Sequence, residues 1–141
     1  MALDLMSKLT ASDGHAESRL HAEAWAGDVA GVREVLDGEF NVNWADSIGE
    51  TALFGAVACA RTEVVLLLIE RGADVNHRNS DGWTSLHWAA SHGGPEMLKI
   101  LLSHSADPNS KSNSGEKPIT IARRYGKGPH VAILKMVTSN D

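Results

Sequence analysis

The sequence predicts an all-α solenoid of stacked helix-turn-helix units joined by short hairpin loops. Gly49, Gly82 and Gly115 recur every 33 residues, and so do Leu20, Leu53, Leu86 and the apolar Ile119. Asn43, Asn76 and Asn109 follow the same spacing. Three residue types of different chemistry share one period, which marks a repeated supersecondary unit. Each unit carries two short apolar stripes, and neither can be buried unless equivalent units stack.

The unit over residues 46–78 shows each element in order. Asp46 to Gly49 is a turn signal, and Thr51 stands where it can cap the helix that follows. Leu53, Ala56 and Val57 lie at helical spacing. A break at Ala60–Thr62 precedes a second apolar stretch, Val64 to Ile69. Gly72 falls where a helix end needs a left-handed residue, and Ala73-Asp74-Val75-Asn76 leads toward the next turn. In the third unit Gly93-Gly94-Pro95 occupies the inter-helix turn, with Pro95 suited to open the second helix. Small residues recur on the first helices (Ala24, Ala56, Ala89, Ala90, Ala122), and larger Leu and Ile residues on the second. First helices can therefore approach more closely, and the stack is expected to curve with its first helices and turns on the hollow side.

Asp81-Gly82-Trp83-Thr84-Ser85-Leu86-His87-Trp88-Ala89-Ala90 and Gly72-Ala73-Asp74-Val75-Asn76 carry a resemblance to the ankyrin-repeat family. The resemblance spans roughly residues 17–137 and implies units at about 17–45, 46–78, 79–111 and 112–137. Residues 1–16 fall outside it, as a tail or as a capping segment built on Leu3, Met6 and Leu9. It further implies that His21 and His87 are structural hydrogen-bonding residues and that the molecule binds another protein. The pattern breaks at both ends: Glu23 stands in place of the first motif Ala, and Arg123 in place of the second. Terminal units of such stacks need a polar outer face. The helix-ending Gly is replaced by Glu39 in the first unit and Ser105 in the third, where a left-handed backbone would cost about 1 kcal/mol each. Gly38 offers an alternative end for the first unit. Phe54 replaces the motif His in the second, exchanging a polar contact for apolar packing.

Composition narrows the function classes. The formal net charge is −5, which does not suit a basic nucleic-acid binder. It is unevenly spread: residues 1–60 hold 3 Lys/Arg against 10 Asp/Glu, whereas residues 111–141 hold 6 against 2. The basic end (Arg123, Arg124, Lys127, Lys135) has only Tyr125 as an aromatic and reads as a solvated cap. Cys59 is the only cysteine, so an internal disulfide and a cysteine-based zinc cluster are ruled out, and an intracellular setting, cytoplasmic or nuclear, is expected. Met1 to Thr10 lacks the apolar run of a secretory signal, and Val64 to Ile69 is far too short to cross a membrane. No cofactor, metal, nucleic acid or membrane is expected, and the chain is expected to be a monomer.

Catalytic patterns are weak. His77, His87, His92 and His104 have no spacing that gathers three metal ligands. Ser85 and His87 belong to the repeat motif and show no nucleophile-elbow signature. The chain is therefore not expected to be an enzyme. Binding is better signalled by the tryptophans, which repeat packing does not require: Trp25, Trp44, Trp83 and Trp88. The expected partner-binding residues are Trp44, Ser47, Ile48, Glu50, Ser80, Asp81, Trp83, Trp88, Ser91 and His92. Within this set Trp44 is expected to reach toward Trp83 and Trp88, and Trp88, as a groove-facing ring, to add little to stability. The function expected is a protein–protein interaction module, with stoichiometric inhibition of a partner enzyme as the alternative. Asn76, with Leu68 eight residues before it, also loosely resembles family hairpin asparagines that an oxygenase hydroxylates.

Overall fold

The computed structural model describes residues 15–38 and 40–138, with side chains from Arg19 onward. Four helix pairs follow one another: α1 (His15–Ala26) with α2 (Val29–Asp37), α3 (Ala52–Ala58) with α4 (Thr62–Glu70), α5 (Ser85–Ser91) with α6 (Pro95–Ser103), and α7 (Pro118–Arg124) with α8 (Gly128–Lys135). No strand occurs among the described residues. The segment over residues 1–16 lies almost entirely outside them, and α1 starts two residues ahead of the boundary expected at 17.

One apolar core runs through all four pairs. Leu20, Leu53, Leu86 and Ile119, one from each unit, are all buried, and so are Ala24, Ala56, Ala89 and Ala122 beside them. First helices touch the first helices of neighbouring units more extensively than second helices touch second helices. Small side chains on α1, α3, α5 and α7 allow this approach, and it closes the stack on the first-helix side. The end of the stack is polar, as a terminal unit requires: Thr120 and Arg123 on α7 are exposed where the third unit buries His87 and Ala90.

The hairpins are tied by a repeated side-chain device. Asp46 Oδ1 accepts the backbone N–H groups of Ile48 (3.1 Å) and Glu50 (2.9 Å). Asn79 Oδ1 does the same for Asp81 and Trp83, both at 2.9 Å, and Ser112 Oγ for Ser114 and Glu116, both at 3.2 Å. A short polar residue opening each turn thus satisfies two donors that the turn leaves free. Between them sits Gly82, at φ 76°, where a Cβ would lie 2.5 Å from Asn113 Oδ1. The recurring asparagines link neighbouring units. Asn43 donates to Gly72 O (3.1 Å) and accepts from the Asp74 N–H (2.8 Å). Asn76 repeats this with Ser105 O (3.0 Å) and the Asp107 N–H (2.8 Å).

Ser105 is left-handed at φ 71°, where Gly72 takes φ 94° in the preceding unit. Gly38 ends α2 at φ −79°, so it does not supply a left-handed cap there, and Glu39 lies outside the described residues. A second non-glycine, Ala60, is left-handed at φ 56° in the inter-helix turn, at the position of Gly27 and Gly126. The left-handed strain is about 1–2 kcal/mol for an L-residue. Glycine offsets part of this by a larger loss of unfolded-state entropy, about 0.4–1 kcal/mol. Ser105→Gly and Ala60→Gly, both at exposed positions, should therefore each stabilise the protein by about 0.5–1 kcal/mol. A urea midpoint that moves down in either variant would contradict the strain argument.

Candidate interaction face

The motif histidines work as expected from the resemblance, and the geometry shows how. His21 Nε2 lies 2.7 Å from Glu50 O, and His87 Nε2 2.8 Å from Glu116 O, each bridging to the next unit's turn. His87 Nδ1 accepts the Thr84 N–H (3.1 Å) and lies 3.0 Å from Thr84 Oγ1, so ring and helix start cap each other. In the second unit Phe54 fills this place and is buried, while Thr51, at the corresponding cap position, has a buried Oγ1 with no hydrogen-bond partner. The expected Thr51 cap is thus present in position but not in bonding, and the apolar Phe54 ring offers its hydroxyl no partner of the kind His87 offers Thr84.

Ser85 and His87, the pair weighed as a nucleophile and base, are each engaged in the packing of the repeat. Ser85 Oγ donates to Val75 O (3.0 Å), and both nitrogens of His87 are engaged as described. No group of three or more His, Cys, Asp or Glu side chains suited to a metal occurs among the described residues.

The tryptophans separate into two sets. Trp44 meets the ring of His21 edge-on, with centroids 5.2 Å apart, and no ring contact joins it to Trp83 or Trp88 among the described residues. His21 and Trp44 belong to the same unit, so Trp44 pairs within its own unit, and the expectation that it reaches the other tryptophans is corrected. Trp25 is 60% exposed, and its ring lies over Gly55, where a Cβ would come within 3.3 Å of Trp25 Cε3. The second set forms a continuous run. Trp83 meets Trp88 at 5.3 Å, Trp88 meets His92 at 5.1 Å, and His92 meets Tyr125 at 5.8 Å, with interplanar angles of 67°, 47° and 55°. Trp83 also stacks on His87 at 27°.

Trp88 is more firmly built in than a groove-facing ring. It is half-buried against the core, and its Nε1–H donates to Glu50 Oε2 at 3.0 Å. The same oxygen accepts from Asn79 Nδ2 at 2.9 Å. Trp88 therefore joins the third unit to the second, and the expectation that it contributes little to stability is corrected on that ground.

The remaining expected contact residues divide by exposure. Ser47, Ile48, Ser80 and Asp81 are exposed at the hairpin tips, and Ile48 is 55% exposed. His92 is exposed, whereas Ser91 is buried and its hydroxyl donates to Trp88 O at 3.1 Å. Ser91 therefore holds the helix end and offers little surface. Tyr125 extends the ring run into the fourth unit at 48% exposure and is absent from the expected set. The signal was available, since Tyr125 lies one period after His92. Next to it, Arg124 forms an ion pair with Glu116.

A stack of helix pairs with aromatic and polar side chains on its first helices and hairpins defines a repeat-type module. The family description "Ankyrin repeats (many copies)" matches residues 56–102 and 86–137, and the chain belongs to the ankyrin-repeat family. Such repeats generally mediate protein–protein interactions. No curated protein matches the chain. No helix among the described residues is long and apolar enough to cross a membrane.

Proposed function

We propose that the protein binds a partner protein on the face formed by its first helices and hairpin tips. The observation that carries this reading is the ring run Trp83–Trp88–His92–Tyr125, which crosses two units and ends in two exposed rings, His92 and Tyr125. Stacking of units does not require it, because Gly55 takes the place of Trp88 one unit earlier. Aromatic residues near the centre of a patch are the usual source of affinity. Ile48 supplies an exposed apolar contact at one hairpin tip, and Ser47, Ser80 and Asp81 form a polar rim. Trp44, Glu50 and Trp83 support the face by holding its hairpins and rings in place. Tethering and inhibition of an enzyme are separated by measuring a captured enzyme's turnover with the chain added.

The test is affinity capture with the full chain, followed by calorimetric titration of the captured protein with variants. Trp88→Ala should lose at least about 2 kcal/mol of affinity. Lys135→Ala, at the end of α8, should lose none. Because Trp88 also packs on the core, Trp88→Ala should cost about 1–2 kcal/mol of stability, as for loss of a partly buried ring and its hydrogen bond. The titration is therefore run well below the melting midpoint of the variant. Unchanged affinity in Trp88→Ala would place the partner elsewhere.

A further inference from the structure

We propose that the ring run and Glu50 together form a seat for an arginine side chain of the partner. This rests on the binding face proposed above and assigns the chemistry that its centre recognises. Three features converge. First, the rings are tilted against one another, at 67°, 47° and 55°, rather than stacked in a closed column, and His92 and Tyr125 are exposed. Trp83 also stacks on His87, and Trp83 and Trp88 are partly buried against the core. Indole and phenol faces attract cations through their quadrupoles. Second, a carboxylate is fixed beside the rings. Both hydrogen bonds to Glu50, from Trp88 Nε1 and Asn79 Nδ2, fall on Oε2. The carboxylate is thus held in place through one oxygen, and Oε1 is the oxygen that an incoming N–H donor meets.

Third, the charge around Glu50 favours a cation. It belongs to the acid-rich part of the chain, where residues 1–60 hold 10 Asp/Glu against 3 Lys/Arg, and Asp81 is exposed on the next hairpin. Arg124, beside Tyr125, is already paired with Glu116. Arginine fits better than lysine because its guanidinium is planar and weakly hydrated. It stacks on a ring while its edge donates to a carboxylate.

The probe is N-acetyl-arginine amide, titrated into the full chain while the four indole N–H resonances are followed by NMR. Its neutral isostere, N-acetyl-citrulline amide, is the control. The Trp88 N–H is bonded to Glu50, so its resonance reports directly on that carboxylate. The arginine probe should shift the Trp88 and Trp83 signals saturably, with a Kd of roughly millimolar to tens of millimolar for so small a ligand. Trp25 and Trp44 should stay still, and citrulline should move none of the four. Glu50→Gln keeps a side-chain oxygen for the Trp88 N–H and should weaken the probe about fivefold. Tyr125→Ala, at an exposed ring, should weaken it about twofold and provides a variant with little risk to folding. Absence of a saturable shift, an equal response to citrulline, or full affinity in both variants overturns the inference. If Trp88→Ala weakens the captured partner while the arginine probe leaves the indoles unmoved, the binding face stands and the arginine seat falls. If the probe binds here and the partner ignores Trp88, the seat stands and the partner-binding face falls.

Discussion

Leu86→Ala should destabilise the protein by about 2–5 kcal/mol, the cost of removing a buried Leu and leaving a cavity. Leu86 is fully buried in the first turn of α5, a helix with α3 on one side and α7 on the other. Its place in the stack makes the upper part of that range the expectation. Each unit contacts only its neighbours, so a defect in the third of four weakens the coupling between the first half and the last unit. Ala89 and Ala90 beside it are already small and offer no side chain that could swing into the space. Leu66 on α4 is the control: it is 42% exposed, so Leu66→Ala should lose no more than about 1 kcal/mol. Urea melts followed by far-UV circular dichroism measure both, and the native spectrum itself should be mostly helical. Equal losses for the two leucines would mean that the core does not run through the stack as described. A Leu86→Ala melt that splits into two transitions would still agree with it, because the two sides of the break would then unfold separately.

How far the sequence disclosed this fold depended on whether a feature recurred. Leu20, Leu53, Leu86 and Ile119 were legible because stacking forces one apolar residue into the same place in every unit, and a fixed period survives exchange of Leu for Ile. Pro95 at the start of α6 was legible because its missing N–H is harmless there. Ala60 was not foreseen as left-handed, since alanine gives no sign of the strain that its glycine counterparts at 27 and 126 avoid. The candidate face was legible as a list of residues but not as an arrangement. Trp44 and Trp88 occupy comparably variable positions, yet one turns back to His21 and the other bonds to Glu50, 38 residues earlier. Such pairing depends on which side chain of the same or an adjacent unit comes within reach, and a one-dimensional period does not encode that. Tyr125 was passed over because it stood among basic residues, and its register with His92 outweighs that neighbourhood.

Stability should fall by up to about 3 kcal/mol as the pH drops from 7 through His87's titration range. The ring is fully buried, and both nitrogens have fixed roles. Nδ1 accepts the Thr84 N–H, and Nε2–H donates to Glu116 O, an arrangement only the neutral ring can make. A proton on Nδ1 would face the Thr84 N–H donor. Burial first, and then the positive charge of Arg78, push the imidazolium down to about 4 from the ordinary 6.5. Between those values the unfolded chain binds a proton that the folded chain refuses. The contribution is therefore intact above pH 6.5, declines as the pH falls, and is gone below about 4. At about 1.4 kcal/mol per pKa unit, the difference sets the 3 kcal/mol ceiling. The second unit supplies the control, since Phe54 fills the corresponding place and is buried there. His87→Phe should cost about 1–2 kcal/mol at pH 7, because it strands the Thr84 hydroxyl as Thr51 is already stranded. In exchange it should flatten the curve from pH 6.5 to 4, so that the variant loses markedly less than the wild type in urea melts across that range. Parallel curves for the two proteins would show that the acid sensitivity of the stack arises at other groups.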